Sequence, residues 1–236
     1  MAVFWAPQFP SIQGCGVTRD ILQQALTDFT VQYLTESELI ARLNTTKYDL
    51  FVNPYGSAFP KRAWPALLKY LRGGGNWLNL GGVPLSRPVV ADGPGWRAES
   101  HQTAYHKQLG ITHSFPVKGS VPDVDFNARI DEVYELYMRL SSSNSEPDEA
   151  GSDGPREGFV EPLIAGKTAA PVIQIDRMEA EFAGGRWVFA NFSGTIESSA
   201  ARALAGIAAQ GARRFEVRSN FACYREGETP SLTVRL

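Results

Sequence analysis

Short apolar runs alternate with helical patterns through the first half of the chain, as repeated strand–helix–strand units do when they build a parallel sheet. Ala2 to Ala6 (AVFWA) predicts the first strand. After a loop containing Pro and Gly, Thr18 stands where it can cap a helix, and Ile21, Leu22, Ala25, Leu26 and Phe29 share one helical face. Val31 to Leu34 predicts a second strand. Thr35 with Glu38 three residues on forms a capping-box pattern, and Leu34 and Leu39 occupy the two staple positions, so a helix runs through Leu43. Asp49 to Asn53 (DLFVN) is a third strand. The helix that follows carries Trp64, Leu67, Leu68 and Leu71 on one side and is stopped by Gly73 to Gly75. Asn76 to Leu80 (NWLNL) is a fourth strand, ending at Gly81 and Gly82.

Beyond Gly82 the pattern changes. Residues 84–100 are rich in Pro, Gly and charge and predict a long excursion over the C-terminal strand ends, where α/β folds place their sites. Phe126, Ile130, Val133, Tyr137 and Leu140 recur at three- and four-residue steps, which predicts a helix. Residues 141–158 are Ser, Gly, Pro and acid with almost no apolar content, and predict a mobile loop. Strand patterns return at Pro171 to Ile175 (PVIQI) and Arg186 to Phe192 (RWVFANF), with Gly184 and Gly185 marking the turn between them. An Ala-rich helix from about Ser199 to Gln210 is closed by Gly211. From Arg214 onward two strand patterns flank an EGETP turn, so the chain divides into residues 1–212, an α/β domain, and 213–236, a β extension that reads as a hairpin or the start of a truncated β-sandwich.

The stretch Tyr48 to Leu85, YDLFVNPYGSAFPKRAWPALLKYLRGGGNWLNLGGVPL, resembles class I glutamine amidotransferase-like domains: strand, Gly-containing loop, helix, Gly-rich stop, strand and sharp turn. Within that superfamily it is most similar to modules of glycoside-hydrolase-type proteins, including the trimerisation domain of some β-galactosidases, and to trehalose-utilisation-type proteins. The resemblance covers residues 1 to about 210 and implies an α/β fold with a flavodoxin-like parallel sheet and helices on both faces. Active members carry a cysteine in a GxCxG setting on the turn after the fourth strand, where a strained turn exposes the thiol, a helix N-terminus lowers its pKa and backbone N–H groups receive the oxyanion. Here the turn reads Gly81, Gly82, Val83, Pro84, Leu85, so no nucleophile is present and Pro84 lacks an N–H. Active members also carry a late histidine followed two residues on by an acid. His101, His106 and His113 all precede the late strands, and none has Asp or Glu two positions later. The resemblance therefore implies scaffold without glutaminase chemistry.

Cys15, between Gly14 and Gly16, follows the wrong strand for the nucleophile; Cys15 and Cys223 read as two unpaired thiols, with no CxxC spacing. The loop Asn53 to Phe59 offers Tyr55, Gly56 and Ser57 to a polar ligand near Gly81 and Gly82, or merely starts a helix. Glu99, His101 and His106 are the one cluster of acid and imidazole, but their spacing is not that of a helical metal pair, so no metal is expected. Gly73 to Gly75 lacks the Lys and Ser/Thr of a phosphate loop. Trp64, Trp77, Trp187 and Tyr137 lie in periodic segments and read as core. Trp5 and Trp96 lie near loops at the presumed site face, where a tryptophan stacks on sugar rings.

Bulk properties narrow the function classes. A net charge of −2 with no Lys/Arg block argues against nucleic acid as partner, and no apolar run is long enough to span a membrane. Met1 leads within two residues into an apolar stretch without the pattern of a secretory leader, so the cytoplasm is the default compartment, left open if the chain is an excised fragment. The leading expectation is a non-catalytic binding or interaction module of a larger carbohydrate-processing protein, with Tyr55, Gly56, Ser57, Gly81, Gly82, Ser86, Trp96 and His101 as binding residues and no cofactor. Its partners would be a carbohydrate or other small polar ligand, neighbouring domains, or further copies of itself. The rival expectation is a hydrolase of glycosides, esters or amides drawing on Glu99, His101 or Ser86, and a third is pure small-molecule sensing.

Overall fold

The computed structural model describes residues 1–117, 126–139, 158–164, 170–213, 216–219, 225–227, 229 and 231–235. In chain order these form β1 (Ala2–Phe4), α1 (Arg19–Ala25), β2 (Gln32–Leu34), α2 (Glu36–Arg42), β3 (Leu50–Asn53), β4 (Ala58–Pro60), α3 (Trp64–Arg72) and β5 (Asn76–Leu80). Then come β6 (Arg87–Asp92), β7 (Gly95–Ala98), α4 (Ala104–Lys107), β8 (Ile111–Val117), β9 (Ala128–Met138) and β10 (Gly158–Ile164). The remainder is β11 (Val172–Arg177), β12 (Arg186–Ala190), β13 (Phe192–Ile196), α5 (Ser198–Ala209), β14 (Glu216–Ser219) and β15 (Leu232–Arg235).

Seven strands make the central sheet in the order β10-β11-β12-β5-β3-β1-β2. β2, β1, β3, β5 and β12 run parallel, and β11 is antiparallel to both of its neighbours. β1, β3, β5 and β12 are buried along their whole length and carry consecutive apolar residues because both faces are covered, and their alternate side chains feed two cores. Phe4, Phe51, Trp77 and Phe189 enter the core under α2 and α3. Val3, Val52, Leu78 and Val188 enter the core under α1 and α5. Helices therefore pack on both faces. No helix among the described residues is long and apolar enough to cross a membrane.

Local signals account for the helix starts. The Thr18 hydroxyl accepts the Ile21 N–H at 3.3 Å. Thr35 and Glu38 exchange the reciprocal bonds of a capping box, worth about 1 kcal/mol in comparable helices. Leu34 and Leu39 are both buried in the same core. Gly211, with φ of 75°, follows α5 in the left-handed conformation that suits glycine.

Three expectations need correction. The helix over 126–140 is instead the long strand β9, with Leu140 outside the described residues, and Tyr137 is 49% exposed rather than core. The misleading spacing comes from a β-bulge: Ser193 faces Glu132 and Gly194 faces Ile130, so Asp131 is the extra residue. Ile130 and Val133 then share the buried face three positions apart, which imitates a helical step. Residues 84–100, expected as a long excursion, do leave the central sheet, but as the hairpin β6–β7, with β4 pairing parallel to β6. Finally, the RWVFANF segment splits at Asn191: β12 stays in the central sheet, while β13 leaves it to pair with β9.

β14 and β15 pair antiparallel, as the two C-terminal strand patterns anticipate. The loop expected at 141–158 falls on residues outside those described, apart from Gly158, where β10 begins, and so does Cys223. Within the sheet, Arg186 grips Asp176 through Nε to Oδ1 at 2.7 Å and Nη2 to Oδ2 at 3.1 Å, with both side chains buried.

Candidate functional site

The C-terminal ends of β1, β3, β5 and β12 lie along one edge of the sheet, and the loop after β1 ties the others together. Ile12 forms a bridge to Gly56, and Gly14 forms one to Gly81. The Ser57 N–H donates to Ile12 O at 2.8 Å, and the Gly82 N–H donates to Phe192 O at 3.1 Å. These approaches demand glycine. A Cβ on Gly81 would come within 2.7 Å of the Gly14 Cα, and Gly56, Gly81 and Gly82 all hold positive φ. Two buried asparagines brace the same edge: Asn53 Nδ2 donates to Asn79 Oδ1 at 2.9 Å, and Asn79 Nδ2 donates to Gly81 O at 2.7 Å.

The turn after β5 is closed from within. The Val83 N–H donates to Ser57 Oγ at 2.8 Å, and the Ser57 hydroxyl donates in turn to Gln13 Oε1. Ser86 is buried, and its hydroxyl donates to Val83 O at 3.0 Å. Among the non-glycine residues of the turn, positive φ falls on Leu85, not on Val83. Cys15 lies fully buried behind the turn, where its thiol donates to Phe192 O at 3.4 Å and burial pushes its pKa up, opposite to what a nucleophilic thiol needs.

A cavity of about 300 Å³ opens in front of this turn. Gln13, Val83 and His101 line one side. Ser114, Phe115 and Pro116 of β8 and Glu132 and Tyr134 of β9 line the other. β9 is fastened to the sheet edge by Asn191, whose backbone carbonyl accepts the Tyr134 N–H at 2.8 Å while its side chain donates to Tyr134 O. The Tyr134 hydroxyl donates to Glu132 Oε2. Burial pushes the Tyr134 pKa up to about 12 and the bond to Glu132 adds to the rise, while the nearby Ser193 and Gln13 side chains pull the other way.

The residues singled out from sequence separate into three groups. His101 lines the cavity. Gly56, Ser57, Gly81, Gly82 and Ser86 converge directly behind its floor, where they shape the turn. Tyr55 and Trp96 lie elsewhere: Tyr55 is buried with its hydroxyl on Ala6 O at 3.0 Å, and Trp96 packs against Phe9 with its Nε1 donating to Pro7 O at 3.1 Å. Glu99 is held by Lys61 at 2.8 Å and by Gln102, which keep its carboxyl below the usual range. His106 is fully buried under the turn, where burial lowers its pKa to about 4 against an opposing effect of the Pro84 carbonyl. Among the described residues no group of three acidic, histidine or cysteine side chains is placed to hold a metal ion.

Sequence reading did not point to Gln13, Ser114, Phe115, Glu132 or Tyr134 as cavity residues. A signal existed for the last two: read as a strand, an acid and a tyrosine two positions apart share one face. Comparison with known proteins adds little. Neither a family model nor a curated protein sequence matches the chain. Among solved structures the chain is similar to Gan42B, a GH42 β-galactosidase, at 13% identity and a TM-score of 0.43. A catalytic mutant of Gan42B from G. stearothermophilus gives 12% identity and a TM-score of 0.45. Both alignments cover 93% of this chain but only 31% of the other. Likeness at this level establishes no activity for this chain.

Proposed function

We propose that this chain is a binding module on an amidotransferase-like scaffold, without glutaminase chemistry, that holds a carbohydrate or other small polar ligand beside the turn after β5. Its setting is a larger carbohydrate-processing protein, as the Tyr48 to Leu85 pattern suggests. The observation that carries the reading is the occupied turn. Val83 supplies no nucleophile, its N–H is already taken by Ser57 Oγ, and Pro84 has no N–H to stabilise an oxyanion. The scaffold likeness is supported by strand order: numbered among themselves, the five parallel strands run 2-1-3-4-5, the order of flavodoxin-like sheets.

The ligand class follows from the lining. An amide, a hydroxyl, a phenol, an imidazole and a carboxylate beside Phe115 match a molecule rich in hydroxyl groups with an apolar ring face. Of the three groups on which a hydrolase would draw, only His101 lines the cavity, because Glu99 is engaged by Lys61 and Ser86 is buried.

Thermal melting with a panel of neutral and amine-bearing hexoses, run beside an ammonia-release assay with glutamine, tests the proposal. A bound sugar at a hundredfold excess over its Kd stabilises the fold by about 2.7 kcal/mol, and glutamine yields no ammonia. Ammonia release that disappears in Cys15→Ala would overturn the non-catalytic reading. A flat melting response to every sugar would overturn the binding reading.

A further inference from the structure

We propose that the ligand of this cavity carries a primary ammonium group on a polyol frame, as an amino sugar does, and that the Glu132 carboxylate receives it. The inference rests on the reading of the cavity as a sugar-binding site and narrows it to one ligand class.

Among the described residues, the cavity lining has a single carboxylate and neither lysine nor arginine. Among the described residues, no basic side chain pairs with Glu132. The nearest in sequence, Arg129, is directed instead to the bulge residue Asp131, Nε to Oδ1 at 3.2 Å. Tyr134 engages Glu132 through Oε2, and Oε1 has no partner among the described residues.

The Tyr134 hydroxyl donates to Glu132 Oε2, and the positive end of that O–H dipole stabilises the negative charge of the carboxylate. On the facing side, Gln13 is held by the Ser57 hydroxyl, which in turn accepts the Val83 N–H. A carboxylate held this way, with no lysine or arginine among the described lining residues, is completed by a cationic ligand group through a charge-assisted hydrogen bond. A neutral sugar hydroxyl donates to the same oxygen without the charge and gains less.

Calorimetric titration of the full chain with glucosamine, N-acetylglucosamine and glucose, below the pKa of the free amine, tests the inference. The expected result is glucosamine binding at least about tenfold more tightly than its two neutral counterparts, a preference that Glu132→Gln abolishes. Tyr134→Phe keeps the carboxylate but removes its donor, so the preference persists with weaker binding. Neutral sugars binding as tightly as glucosamine, or an unchanged preference in Glu132→Gln, would overturn the ammonium assignment and leave the sugar site standing. Failure of all three ligands would remove both.

Discussion

Replacing Ser57 with alanine deletes one oxygen from the centre of the turn after β5. Ser57 is fully buried, and its Oγ is the acceptor of the Val83 N–H at 2.8 Å. An orphaned buried N–H costs about 1–3 kcal/mol, since no water replaces the lost partner. Gln13 also loses its donor but is exposed at the cavity rim, so hydration limits that loss to about 0.5 kcal/mol. The sum is about 1.5–3.5 kcal/mol. For a domain of this size each kcal/mol lowers Tm by about 2–4 °C, so Ser57→Ala should melt about 3–14 °C below wild type. Calorimetry measures the shift, and native-state hydrogen exchange at the Val83 amide reports the bond itself. A variant that melts within about 1 °C of wild type with unchanged Val83 protection would show that this hydroxyl does not close the turn. Ligand affinity should fall as well, because the Ser57 hydroxyl holds Gln13, which lines the cavity.

Arg186→Met leaves Asp176 buried with only the weaker company of Gln174 and Arg213, and should cost about 3–5 kcal/mol in urea unfolding, whereas adding Asp176→Asn should restore much of it. His106 has a folded pKa of about 4, below the unfolded value of 6.5, so the unfolded state binds the extra proton between those values. Stability should therefore be complete above about pH 6.5 and fall by up to about 1.4 kcal/mol per pH unit as acidity increases toward pH 4. His106→Phe should flatten that slope in pH-dependent melts; an unchanged slope would assign the acid sensitivity to other groups. Iodoacetamide applied to the folded chain should leave the Cys15 peptide unmodified in mass mapping, since its thiol is fully buried and its pKa is raised.

The local sequence alone determined the elements whose information is local. Thr18 and the Thr35–Glu38 box mark helix starts through bonds spanning three residues, and DLFVN, NWLNL and RWVFA declare strands covered on both faces by the consecutive apolar residues within them. That the turn after β5 carries neither thiol nor hydroxyl was equally legible, because it reads Gly81, Gly82, Val83, Pro84, Leu85. Tertiary structure decided the rest. The pairing of β4 with β6 joins segments about thirty positions apart and leaves no periodic trace. The bulge at Asp131 shifts strand parity by one, so a strand displayed a helix-like step until its partner was known. The cavity joins Gln13, Val83, His101 and Glu132 across more than a hundred positions. Glu132 could not be recognised as a site residue until β13 left the central sheet and carried β9 over the turn, since a carboxylate acquires its role from the donors and cations around it, and those are set by the fold.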